Sequence, residues 1–176
     1  MSAAIELEAT AAARKSVHTI SLLVHDVPGV LVRVALVFSR RGYNIESLVV
    51  STARQAGFSR MTITSSGDRA TLEQIIKQLA KLVDVVHAVD HTHDQRYETE
   101  IALVKIACGI EQRTEILQIA EHFKAKVVDY GTESLILRAA GSSEKLDAMA
   151  DVLAPFEIVE IVRSGKVLMA RGVGPT

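Results

Sequence analysis

DVPGVLVRVALVFSRRGYNIESL, residues 26–48, decides how the first half of this chain folds. Asp26 and Pro28 end a strand in which Val17, Thr19, Ser21 and Leu23 alternate with His18, Ile20, Leu22 and Val24. Proline suits the first helical position, because the N–H it lacks would be unpaired there, so the helix is predicted to open at Pro28. Leu31, Val34, Ala35 and Phe38 fall at i, i+3, i+4 and i+7 and predict its buried stripe. Arg40 and Arg41 fall in the predicted last turn, against the negative end of the helix dipole, and Gly42 is a natural stop. The helix start offers backbone N–H groups at Gly29, Val30 and Leu31 to an anion such as a carboxylate. Gly29 has no Cβ, so a ligand can approach the backbone closely. Asn44 follows the Gly42 turn and is expected to face Asp26 across the helix mouth. This is the layout of a small-ligand clamp rather than of a reaction centre. Ordinary strand–turn–helix capping accounts for the same residues without a ligand.

Outward from this stretch, residues 44–54 and 58–66 read as strands joined by a hairpin turn at Gln55–Gly57. Asp68 or Thr71 can cap the next helix, whose predicted stripe is Leu72, Ile75, Ile76, Leu79 and Val83, with Glu73 and Lys77 as an i,i+4 pair. Residues 84–92 return as a strand. The order is βαββαβ, an open antiparallel sheet with helices on one face. The polar stretch 94–98, DQRYE, reads as a linker. The order then repeats. Strands are predicted over 100–107, 126–130, 134–140 and 158–163. Ile116, Ile119, Ala120 and Phe123 mark one helix, and Leu146, Met149, Ala150 and Leu153 mark another that Pro155 ends. The expected fold class is α+β, with two ferredoxin-like domains at 17–93 and 99–176 behind a flexible extension at 1–16. Domains this small bury only about 60% of the surface their unfolded chains expose. The strand Val49–Arg54 would be a liability as an open edge, so at least a homodimer is expected.

Composition excludes several classes. Net charge is −1 over 176 residues, which gives no basic field for nucleic acid. Sheet recognition of RNA needs exposed aromatics, and the first sheet's strands and hairpin hold only Phe58. The one cysteine, Cys108, fits a reducing cytoplasm and reads as a buried structural thiol. No apolar run approaches the ~18 residues of a membrane span. Residues 1–16 lack the apolar core of a signal peptide. His91 and His93 in DHTHD would share one strand face with Asp90 or Asp94 nearby, but no third ligand stands at a recognisable metal spacing. GSSEKLD at 141–147 lacks the frame of a phosphate loop, and capping by Ser142 or Ser143 explains it. No nucleophile, base and orienting group converge in sequence.

The 26–48 segment resembles the ACT domain, an amino-acid-sensing module. With GYNIESL, FSRMTI at 58–63 and LEQIIKQLAKLVDV at 72–85, the chain is similar to the small regulatory subunits of acetolactate synthase, also called acetohydroxyacid synthase. ALVKI, FKAKVVD, KLDAM and the IVRSGKV–LMARG end carry the likeness through the second half, so that it runs from about His18 to Gly172. The resemblance implies a non-catalytic chain with no cofactor or metal of its own. Its implied partner is a large subunit that uses thiamine diphosphate, magnesium and FAD to join two pyruvates, or pyruvate and 2-oxobutyrate. The small subunit would raise that activity and confer feedback inhibition by valine, or by leucine or isoleucine. Similar proteins pair their ACT domains side by side and bind the effector at the seam. Gly29 and Asn44 match the effector-site pattern. Asp26 stands where related sequences carry Asn or Asp, and accepts from the effector's ammonium. Val30, Leu31 and Ile45 complete the implied site. The alternative is a stand-alone amino-acid sensor with another partner. A transcription-linked one would need a DNA-reading element, and neither a helix-turn-helix nor a basic stripe is present.

Overall fold

The computed structural model describes residues 16–174 and 176, and these fall into two units, the first running to Gln95 and including Gly174 and Thr176, the second Arg96–Val173. The expected extension at 1–16 lies outside the described residues except for Ser16, which opens the first strand.

The N-terminal unit is built from β1 (Ser16–His25), α1 (Val30–Ser39), β2 (Ser47–Thr52), β3 (Phe58–Gly67), α2 (Arg69–Leu79) and β4 (Val85–Asp90). Its sheet has the order β2-β3-β1-β4, with β3 antiparallel to both β1 and β2. Strands β1 and β2 are thus parallel, and α1 is their crossover. The register sets Ile20 opposite Ile63 and Leu22 opposite Met61. These four side chains are buried together with Val24, Val34, Phe38, Leu72, Ile75 and Leu79 to make the core. The opposite sheet face carries the small hydroxyl pairs Thr19–Thr64 and Ser21–Thr62, all buried. Asp68 caps α2, accepting the Thr71 N–H at 2.9 Å.

Four readings of this unit change. Helix α1 ends at Ser39 with Arg40 as its C-cap, so neither Arg40 nor Arg41 lies in its last turn. The first helix opens at Val30 and not at Pro28, because Gly29 takes a left-handed conformation (φ 83°) as its N-cap. The buried stripe of α1 is Val30, Val34 and Phe38, while Leu31 faces outward. Arg33 and Ser39 are the helix's only polar residues, so the sequence pattern offers too narrow a polar face to fix its orientation. Helix α2 ends at Leu79, which leaves Val83 in the following turn, 94% exposed.

The C-terminal unit comprises β5 (Arg96–Ala107), α3 (Ile110–His122), β6 (Lys126–Tyr130), β7 (Ser134–Gly141), α4 (Ser143–Leu153), β8 (Glu157–Arg163) and β9 (Val167–Ala170). The sheet order is β6-β7-β5-β8, the same βαββαβ path, and β9 pairs with the start of β5. Ala102, Val104 and Ile106 of β5 and Leu135, Leu137 and Ala139 of β7 pack against Ile116, Ala120, Leu146, Met149 and Leu153. Residues 96–98, expected in a linker, are the first residues of β5, paired with β9 from Arg96↔Ala170 to Thr99↔Val167. Charge hid this strand from the sequence, yet the charges satisfy one another. Glu98 accepts from Arg96 Nε at 2.8 Å and from Lys166 Nζ at 3.3 Å. Ser142 caps α4 through the Lys145 N–H, so the Gly-Ser-Ser stretch is a helix start. Cys108 is buried beside the core.

Candidate functional site

The strand-to-helix turn of the N-terminal unit is fixed by its backbone. The Asp26 N–H donates to Gly57 O at 2.9 Å, tying the turn to the β2–β3 hairpin. The Val30 N–H, expected to be free, donates to Val27 O at 3.3 Å, and the Arg33 N–H reaches Gly29 O. The amides of Leu31 and Val32 remain at the helix mouth with no acceptor among the described residues. Asp26 and Gly29 are exposed. A Cβ on Gly29 would lie 3.1 Å from Arg33 Nη1, and Arg33 itself holds Asp84 through a 2.6 Å Nε–Oδ2 bond. The mouth of α1 is therefore an open surface with two unpaired amides, bordered by the Asp26 carboxylate and the Arg33–Asp84 pair.

Asn44 and Ile45 are elsewhere. They lie beyond the C-terminal end of α1, where the Gly42 N–H donates to Ser39 O, the Tyr43 N–H to Phe38 O, and Gly42 is left-handed (φ 70°). Helix α1 has ten residues, a rise of about 15 Å. Asn44 therefore does not face Asp26 within one chain, contrary to the sequence expectation. The site residues form two clusters, Asp26, Gly29, Val30 and Leu31 at one end of α1 and Asn44 and Ile45 at the other.

The second cluster borders two clefts. One, of about 440 Å³, is lined by Ala35, Phe38, Ser39, Gly42, Tyr43, Asn44 and Ile45. The other, of about 660 Å³, is lined by Gly42, Tyr43, Asn44, Glu46, Ser66, Gly67 and Asp68. Sequence reasoning passed over Tyr43, Glu46, Ser66 and Asp68 as site neighbours, because β3 brings Ser66–Asp68 to the loop through long-range pairing. Asp68 is held down to about 2 by the Tyr43 hydroxyl first, then by the Thr71 amide and hydroxyl.

The outer side of α1 is apolar. Val32 is 61% and Leu36 44% exposed, and Val50 on the edge strand β2 is 45% exposed. These exposed apolar side chains have no cover among the described residues.

His91 and His93 do not share a strand face, since β4 ends at Asp90. His91 is buried with its Nδ1 3.0 Å from Asp94 Oδ2, whereas His93 is exposed. Among the described residues no three His, Cys, Asp or Glu side chains come together to hold a metal ion. No helix among them is long and apolar enough to cross a membrane.

Comparison with known proteins agrees with this fold. Residues 20–87 match the family model described as the AHAS small subunit-like ACT domain, and residues 99–172 match the small subunit of acetolactate synthase. The acetolactate synthase small subunit of Mycolicibacterium smegmatis is 48% identical over 88% of this chain and 91% of its own length. A probable acetolactate synthase small subunit of Archaeoglobus fulgidus is 42% identical over 88% of this chain and 97% of its own. The crystal structure of the small subunit from Thermotoga maritima superposes with a TM-score of 0.81 at 39% identity, covering 90% of this chain and 99% of that one. A small subunit implies a larger catalytic partner. On its ACT domain, its C-terminal domain and its full-length likeness together, the chain belongs to the acetolactate synthase small-subunit family.

Proposed function

We propose that the chain is the regulatory subunit of an acetolactate synthase. It raises the activity of a separate large subunit and confers feedback inhibition by valine or another branched-chain amino acid, at a seam between two copies of its ACT domain. The observation that carries the seam is the separation of the two clusters by the length of α1. Two α1 helices run antiparallel across a two-fold axis set the start of one beside the end of the other. Each effector then spans both copies, and a dimer has two equivalent sites. The exposed Val32 and Leu36 on α1, and Val50 on the edge strand β2, support this pairing, because exposed apolar surface and an open sheet edge both call for a cover.

The chemistry of such a site matches an amino acid. The free Leu31 and Val32 amides suit its carboxylate. Asp26 suits its ammonium, and the Asn44 amide donates and accepts from the second copy. Leu31 and Ile45 offer apolar surface to a branched side chain. Reaction chemistry remains with the large subunit and its thiamine diphosphate, magnesium and FAD, and the site of action is the cytoplasm. Inhibition follows from valine binding one arrangement of the dimer better than another, and about 1–3 kcal/mol of coupling gives typical inhibition ratios.

Reconstitution with the large subunit tests the reading. Activity should rise on adding this chain, fall with valine, and be absent from the chain alone. Asn44→Ala should weaken calorimetric valine binding by about five- to hundredfold while activation persists, since it leaves ligand groups unpaired. Turnover of pyruvate by the pure chain, or a folded dimeric Asn44→Ala that binds valine as the unaltered protein does, overturns it.

A further inference from the structure

We infer that Tyr43 is a positioning residue for the effector site, a clamp that fixes Asn44 by seating its ring on Gly67 and its hydroxyl on Asp68. The inference rests on the seam reading and adds to it the device that holds one of its polar contacts in place. Asn44 itself is exposed and lies in a loop. A loop side chain that must meet a ligand bound partly to another copy needs its backbone fixed, or ordering it on binding subtracts from affinity.

The clamp is built from three contacts. A Cβ added to Gly67 would stand 1.9 Å from Tyr43 Cε1 and 2.5 Å from Cζ, so the ring occupies space that only glycine leaves open. The Tyr43 hydroxyl donates to Asp68 Oδ2 at 2.5 Å and accepts from the Asp68 N–H at 3.1 Å. The other carboxylate oxygen of Asp68 caps α2 at the Thr71 N–H. One carboxylate thus ties the loop after α1 to the start of α2. Behind the ring, the Tyr43 N–H is bound to Phe38 O at the end of α1. Ahead of it, Ser65 Oγ donates to Asn44 O at 2.8 Å and the Glu46 N–H donates to Thr64 O at 2.9 Å. Asn44 is therefore held on both sides while its side chain stays outward. A ring that merely filled the core would need neither hydroxyl bond, and would not require glycine beneath it.

Tyr43→Phe is the first test, since it keeps the ring and removes only the hydroxyl. In the holoenzyme it should leave activation by this chain unchanged and raise the valine Kd about three- to tenfold, the range of one lost hydrogen bond. Asp68→Leu removes the cap as well as the tie, so Asp68→Asn, which retains a capping oxygen, is its partner in a double-mutant cycle with Tyr43→Phe. The two should couple, the double variant losing little more valine affinity than either single one. Gly67→Ala, which displaces the ring outright, should exceed both. Asn44→Ala is run alongside. If Asn44→Ala weakens valine binding and Tyr43→Phe does not, the clamp is overturned and the seam stands. If neither does, the seam reading fails and takes the clamp with it. A fall in melting temperature in Tyr43→Phe with an unchanged valine Kd also overturns the clamp, because it assigns Tyr43 to stability alone.

Discussion

Gly29 serves two purposes that a series of substitutions separates. Its backbone is left-handed at φ 83°, and it caps α1 at the mouth where an effector carboxylate is proposed to bind. An L-residue with a Cβ costs roughly 1–2 kcal/mol in that conformation, and asparagine less, because its short amide bonds locally. The added Cβ also meets Arg33 Nη1 at 3.1 Å. The guanidinium is the far end of a flexible chain and can move a few tenths of an ångström. Its bond to Asp84 is partly exposed, so loosening it adds well under ~1 kcal/mol. Gly29→Ala should therefore lower the melting temperature of the N-terminal domain by about 4–8 °C for each kcal/mol lost. Gly29→Asn should recover much of that. Valine binding should behave differently. Alanine and asparagine both occupy the approach to the Leu31 and Val32 amides, so both should weaken inhibition. Gly29→Asp adds a charge against the effector's carboxylate and should weaken it most. The assays are thermal unfolding of the purified chain and valine inhibition of the reconstituted holoenzyme. An unchanged melting temperature in Gly29→Ala refutes the strain argument. Inhibition of Gly29→Asn equal to that of the unaltered protein refutes the close-approach argument.

Two further outcomes are expected. Leu36→Glu places a carboxylate on the apolar flank of α1; an unpaired buried charge costs roughly 3–5 kcal/mol, so sedimentation should show monomers, and an intact dimer would remove this flank from the seam. In the C-terminal domain, burial raises the Glu98 carboxyl, but the Arg96 hydrogen bond and the Lys166 and Arg96 charges outweigh it and hold the group below its ordinary value of 4.5. A depressed carboxylate stabilises the fold above its unfolded pKa, and that contribution is lost as pH falls below about 4.5. Thermal unfolding from pH 7 to pH 3 should thus fall less steeply in Glu98→Gln, and identical slopes would refute the assignment.

What could be read in the sequence was local chemistry. The strand before Asp26, the Gly42 stop, the Asp68 and Ser142 caps and the repeated βαββαβ order all depend on neighbours within a turn or two, and each appears in the fold. The orientation of α1 was not legible, since a helix whose only charge is Arg33 can turn either Leu31 or Val30 inward. Pairing of 96–98 with β9 was hidden for the opposite reason, a charged strand whose partner lies some seventy residues on. At the candidate site, the residue types at Asp26, Gly29 and Asn44 could be named from the sequence. Their separation could not, because the sequence reading treated the start and the end of α1 as one mouth. Tyr43 on Gly67 was likewise invisible, for it arises only when β3 delivers Gly67 beside the loop.

That separation has a consequence for regulation. If all the polar contacts lay at one end of α1, valine would bind a monomer as well as a dimer and would have no leverage over how two copies are arranged. With the contacts divided between the two ends, a ligand that uses both binds only paired domains. Its binding free energy then stabilises the pair, by about 2.7 kcal/mol at a concentration a hundred times its Kd. By reciprocity, whatever holds the pair in one arrangement, including the large subunit, changes valine affinity by the same factor. On the proposed reading, helix α1 is a spacer that keeps the two clusters of one chain apart. In the proposed seam, the exposed Val32 and Leu36 on its outer side would meet the second chain. Feedback inhibition of this kind needs no moving part inside the ACT domain, only a seam whose geometry the ligand and the catalytic subunit both favour unequally.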